Sequence, residues 1–304
     1  MESLNYYTIG GKVIKITTPS GKDVNHYLPQ FGKFRIDNPN LVNNSIYDFE
    51  IILNDNQVIK EQIFNGEVSE FEFTNMSCIV SCTKNKNIFK ISGQTELDNS
   101  TVVYYEQNKN EQVGRVFLSR RSIDSTVLSY TIWLSLTLGL VSKGIIPIHS
   151  SVVIYKEEAI LFLGESGTGK STQKDLWLKN IEGSFCLNDD SPLLSVNNTC
   201  VKVWGSPWSG KGKVFLNETY KIRAIVRVVR GNFNKIEKVV SAEAFGAVYP
   251  SLPPFLHQFE VEEDMVCEML SNILMHSQVY KLYCKPERES AFITLNELYD
   301  ENES

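Results

Sequence analysis

Histidine is scarce in this chain, with four in 304 residues, and the six cysteines are scattered without a C-x-x-C pair. No disulfide framework or zinc site is indicated, and thiols used in this way fit a reducing cytoplasm. Basic charge is also short. The formal net charge is −6 and no Lys/Arg block builds a basic face, which argues against a nucleic-acid partner. The stretch from Met1 to Tyr7 has neither a basic n-region nor an apolar h-region, so no secretory signal is expected. Long hydrophobic runs are missing apart from 125–142, which is uncharged but short and rich in Ser and Thr. A buried helix is expected there, and no membrane partner. Repeats and low-complexity linkers are lacking, so any domain boundary must be read from a change of pattern. The remainder, 42% hydrophobic and 22% charged, is ordinary globular material for one large domain or two.

The pattern does change near residue 122. Residues 1–122 alternate in short runs between turn signals, with candidate strands at Lys12–Thr18, 47–54, 70–75, 78–83, 88–92, 101–106 and 115–119. This predicts an antiparallel β domain, with His26 on its surface and no catalytic constellation. Residues 123–304 begin with the apolar helix, placed in the second domain or at the seam. Strands at 145–155 and 159–163 follow, joined by a turn at Lys156-Glu157-Glu158. Further on come a helix over 169–179, a strand over 184–188 ending at Asp189-Asp190, and a hairpin of 193–196 with Cys200–Trp204. A strand over 221–230, a helical stripe from Val266 to Leu274, a strand at Val279–Cys284 and a helix over 291–299 complete the reading. The fold class is α+β.

The chemistry centres on Gly164-Glu165-Ser166-Gly167-Thr168-Gly169-Lys170-Ser171-Thr172, a full match to G-x-x-x-x-G-K-[ST]. A buried-strand run precedes it and a helix-compatible segment follows. Glycines let backbone N–H groups wrap a polyphosphate, and the helix start adds unpaired N–H groups and a positive dipole end. Lys170 would reach the β/γ-phosphates and Ser171 would ligand Mg²⁺, so ATP and Mg²⁺ are the expected cofactors.

Phosphoryl transfer also needs a metal-side carboxylate and a group to take the acceptor's proton. Asp189 and Asp190 follow Lys170 by 19 and 20 positions, room for one helix and a returning strand. Without a function they would be a solvated acidic turn. His149 is placed on the strand beside the loop strand, and read blandly it is a satisfied core or edge residue. The Gly205-Ser206-Pro-Trp208-Ser-Gly-Lys211 turn reads as an acceptor or lid loop, or as a tight turn packed by tryptophans. Arg223 and Arg227 fall on one strand face by period two.

The ordered set of His149-Ser-Ser-Val-Val, the phosphate loop, Asp189-Asp190 and a glycine turn at Gly205 resembles HPr kinase/phosphorylase catalytic domains, over roughly 140–215. The resemblance implies a phosphoenolpyruvate-carboxykinase-like P-loop domain of mixed sheet and helices. It implies Lys170 as the phosphate lysine, Ser171 and Asp190 as metal ligands, Asp189 as the base and His149 lining the same site. Members of that family tend to assemble, so a homo-oligomer is among the expectations. Where the family has a glutamate- and arginine-containing signature, this chain has Val201–Lys211, so the resemblance does not carry an acceptor across. The expected activity is ATP-dependent, Mg-assisted phosphoryl transfer to a hydroxyl, on a serine of a protein or peptide or on a small molecule. A nucleotide-gated binding module without transfer is the alternative. Carboxykinase chemistry is a weaker one, since the upstream segment lacks its lysine–histidine metal pair.

Overall fold

The computed structural model describes residues 3–19, 23–36, 47–54, 68–73, 76–83, 85–93, 101–118, 125–197, 200–210 and 212–300. Two mixed sheets and several helices make it an α+β protein. Two compact units divide the chain, Met1–Lys143 with Phe255–Met265, and Gly144–Pro254 with Val266–Ser304.

The first unit holds β1 (Ser3–Ile9), β2 (Lys12–Thr18), β3 (Phe49–Asn54), β4 (Val68–Phe73), β5 (Met76–Cys82), β6 (Lys86–Gly93), β7 (Thr101–Asn108) and β8 (Val113–Leu118). Their order in the sheet is β1-β2-β3-β8-β7-β6-β5-β4. The expected all-antiparallel sheet is corrected at β3, which runs parallel to both β2 and β8. A parallel pairing needs a long crossover. The chain between β2 and β3 supplies one, carrying the short helix α1 (Val24–Tyr27) and a 3₁₀ turn, Pro29–Phe34, that buries Phe31 and Phe34. His26 is exposed, as expected.

The apolar helix α2 (Ser125–Val141) is buried on nearly every side. It belongs to the first unit, and the division therefore falls some twenty residues beyond the expected 122. The reason is close packing. A Cβ on Gly139 would stand 2.6 Å from the Phe49 ring of β3, so glycine lets that ring lie on the helix backbone. Val127 fits in the same way over Gly93 of β6. Among the described residues no helix is long and apolar enough to cross a membrane.

The second unit has β9 (Ile145–Pro147), β10 (Ser150–Tyr155), β11 (Glu158–Leu163), α3 (Lys170–Asn180), β12 (Phe185–Asp190), β13 (Leu193–Asn197), β14 (Cys200–Trp204), β15 (Thr219–Arg230), β16 (Lys235–Val239), α4 (Ser241–Val248), α5 (Glu260–Met275), β17 (Val279–Cys284) and α6 (Arg288–Tyr299). Helix α5 gives its first residues to the first unit. The sheet runs β12-β10-β11-β15-β14-β13-β9, and β17 with β16 continues from the far part of β15. Trp177 of α3 is fully buried with Phe162 of β11, Val226 of β15, Leu282 of β17 and Ala291 of α6. This core fixes the helix behind the phosphate loop against the strand in front of it. The expected single strand over 145–155 is interrupted at Ile148-His149, where the His149 N–H donates to the Ser251 carbonyl at 2.7 Å.

Candidate functional site

The loop from Gly164 to Gly169 joins β11 to α3, and Gly164, Gly167 and Gly169 all have positive φ, at 150°, 76° and 119°. Side chains at those angles would be strained, which explains the glycine spacing. Gly169 is the N-cap of α3 and no side chain caps that end, so the first helical N–H groups face the loop. Lys170 Nζ donates to the carbonyls of Gly164, at 2.8 Å, and Glu165, at 3.1 Å. Burial holds its pKa below the ordinary lysine value. Thr168 closes the turn through its hydroxyl onto Glu165 O at 2.8 Å, and Ser166 is exposed. Thr172 lines a cleft of 460 Å³ with Gly167, Gly169, Gln173, Arg230 and Lys285.

Strand β12 ends on the two aspartates, which face different partners because successive strand residues alternate. Asp189 Oδ1 accepts from Ser151 Oγ of β10 at 2.5 Å and from Ser171 Oγ at 3.3 Å. Its Oδ2 meets Lys174 Nζ at 2.6 Å. Asp190 instead lies with Oδ1 3.3 Å from His149 Nδ1, both side chains nearly half exposed. Burial alone would lower the Lys174 pKa, but Asp189 and Asp175 outweigh it and raise the ammonium above its usual value. Lys170, Ser171, Asp189, Asp190 and His149 are therefore brought to one edge of the sheet.

The turn after β14 is built onto that edge. Asn188, fully buried in β12, donates to Trp208 O at 2.9 Å and accepts from the N–H groups of Asp190 and Ser191. Ser206, also buried, donates to Ser191 O at 2.6 Å, and Gly210 N donates to Asp189 O at 3.2 Å. Gly205 N bonds Glu218 O, closing the base of the turn. Lys211 lies outside the described residues.

Sequence reasoning missed Ser151, Lys174 and Arg230. Ser151 stood inside the quoted His149-Ser-Ser run. Lys174 was legible as the residue one turn after Lys170 on the same helix face. Arg230 donates to the carbonyl of Gly167 and so ties the end of β15 to the loop. The paired reading of Arg223 and Arg227 is corrected. A register shift opposite Ala159/Ile160 breaks the period of two in β15. Arg223 goes to Leu298 O of α6 and stacks on Tyr299, while Arg227 reaches Ala247 O of α4 and Glu165.

Ser171 and Asp189 offer a hydroxyl and a carboxylate at the head of a phosphate loop, the hard oxygen set that magnesium takes alongside phosphates and water. Among the described residues no group of three or more His, Cys, Asp or Glu could hold a metal by itself.

No family model and no curated protein matches the chain. Among solved structures, the Hpr(Ser) kinase/phosphatase from Coxiella burnetii is similar to part of it, with a TM-score of 0.30 and 11% identity over 50% of this chain and 95% of that one. At that TM-score the likeness carries no argument for function.

Proposed function

We propose that this chain is a cytoplasmic kinase that transfers the γ-phosphate of ATP to a hydroxyl acceptor, with its second unit as the catalytic body. The observation that carries the reading is that two consecutive carboxylates have different partners. Asp189 joins the phosphate-loop serine, and Asp190 joins a histidine at the open edge. Two carboxylates with different surroundings are what separate metal binding from proton transfer.

In this reading the loop N–H groups and Lys170 hold the β- and γ-phosphates, and the neighbouring cleft with Gln173, Arg230 and Lys285 takes the nucleoside. Magnesium held by Ser171 and Asp189 would neutralise charge on the phosphates. The acceptor hydroxyl approaches between the turn at Gly205 and the His149–Asp190 pair. Asp190 takes its proton, and His149 orients the carboxylate and spreads the gained charge. Asp189, committed with Ser171 to the metal in this reading, is not the group for that task. The roles of the two aspartates are thus the reverse of those the family resemblance implies.

The test is incubation of the chain and a host lysate with γ-labelled ATP, comparing wild type with Asp190→Asn and Lys170→Ala. Label on a peptide or small hydroxyl compound, lost in Asp190→Asn while nucleotide binding persists, is expected. Label released only as inorganic phosphate, or full transfer by Asp190→Asn, would overturn the reading.

A further inference from the structure

Lys174 has no part in the chemistry above. It follows Lys170 by one helical turn, so the two ammonium groups start from one face of α3. They end in different places, Lys170 on the loop carbonyls and Lys174 on Oδ2 of Asp189 at 2.6 Å. The pair is nearly closed off from solvent, with 10% of the lysine side chain and 5% of the aspartate side chain exposed.

The consequence is geometric. A carboxylate has two oxygens, and here they are assigned separately. Oδ1 meets both serine hydroxyls, and Oδ2 is taken by the ammonium. The glycine turn closes over the same oxygen, since a Cβ on Gly212 would stand 3.6 Å from Oδ2 and 3.9 Å from Lys174 Nζ. Asp189 is held against rotation with one oxygen toward Ser171.

We propose that Lys174 is a positioning residue that makes Asp189 offer a divalent cation one oxygen and not two, and so selects magnesium over calcium. The inference rests on the phosphate-loop reading given above. Magnesium is small, demands near-octahedral geometry and is served by single oxygens from few protein groups. Calcium takes more ligands, tolerates irregular geometry and readily accepts both oxygens of a carboxylate. Engaging Oδ2 in an ion pair removes the bidentate option.

The experiment titrates binding of a fluorescent ATP analogue to the full chain with magnesium alone and with calcium alone. Lys174→Met keeps most of the aliphatic stem and removes the charge, Lys174→Gln is a second neutral variant, and Lys174→Arg restores the cation. Both neutral variants should shift the ratio of half-saturating magnesium to calcium by roughly tenfold toward calcium, at the low end of what losing a residue behind a metal ligand costs. Lys174→Arg should return the ratio to that of wild type. Asp175→Asn, which alters the exposed second partner of Lys174, should leave it unchanged. An unchanged ratio in both neutral variants, or an equal shift in Lys174→Arg, overturns the inference while leaving the phosphate-loop reading intact. A wild-type chain that binds no analogue with either cation overturns that reading, and this inference with it.

Discussion

Ser151 and Asp189 face each other across β10 and β12 in register, and the serine hydroxyl donates to the carboxylate at 2.5 Å. Both side chains are almost wholly buried. A hydrogen bond to a charged group contributes about 1.5–3 kcal/mol, and a buried acceptor stripped of its donor keeps the desolvation cost. Ser151→Ala should lower the unfolding free energy by about 2 kcal/mol. Urea denaturation checks this, with a lower midpoint and an unchanged slope expected.

Lys170 is the test of the loop itself. Its ammonium is buried and donates to two carbonyls of the loop. Lys170→Ala should weaken nucleotide binding by roughly 10- to 100-fold, the loss expected for a charge-assisted bond to phosphate. Calorimetric titration with ATP and magnesium measures it, and wild-type affinity in the variant would remove Lys170 from the site.

The glycine turn should respond differently at its two ends. A Cβ on Gly205 would run into the Leu216 carbonyl oxygen, in a backbone contact with no soft partner. Gly205→Ala is expected to cost about 1–3 kcal/mol of stability, as overpacking does. A Cβ on Gly210 would stand 2.5 Å from the Asp189 carbonyl oxygen, at the tip and not the base of the turn. Gly210→Ala should leave thermal stability closer to wild type and lower phosphate transfer. Equal losses of both quantities in the two variants would contradict this difference.

In the first unit, Glu50 links β3 to β2. Burial by itself would raise its pKa, but hydrogen bonds from Thr17, Lys15 and Tyr47 outweigh that and hold the carboxyl below 4.5. A depressed carboxyl pKa stabilises the fold above the unfolded value and stops doing so as pH falls through the folded value. Wild type should therefore be more stable than Glu50→Gln at pH 7, and the difference should vanish as pH falls below the carboxylate range. Denaturation midpoints of both proteins across that range give the comparison.

The strand, loop and helix around Lys170 were legible because glycine spacing and an apolar run are local signals. The hairpin of β13 and β14, and the strand Val279–Cys284, were legible for the same reason. What escaped depends on partners distant in sequence. The parallel seating of β3 is set by a crossover and by the Phe49–Gly139 contact, neither of which alternation records. Strand β1 begins Ser-Leu-Asn-Tyr-Tyr, a polar opening that hid it, although its later residues are buried. The register shift in β15 parted two arginines that simple counting puts together. The separate destinations of Asp189 and Asp190 follow from strand alternation, yet Ser151 and Lys174 had to be seen beside one of them before the pair could be told apart.

The parallel strand β3 also bears on the order of assembly. Strands β4 to β8 pair with their sequence neighbours, as do β1 and β2, so each set needs only short chain closures. Among the described strands β3 alone unites the two sets, and its partner β8 lies some sixty residues downstream. Closing so large a loop is slow relative to forming hairpins. In refolding followed by pulsed hydrogen exchange, the amides of β3 are expected to gain protection after those of β5, β6 and β7. The β8 edge of the meander would stay unpaired until that strand arrives, which makes this interval the one most exposed to self-association.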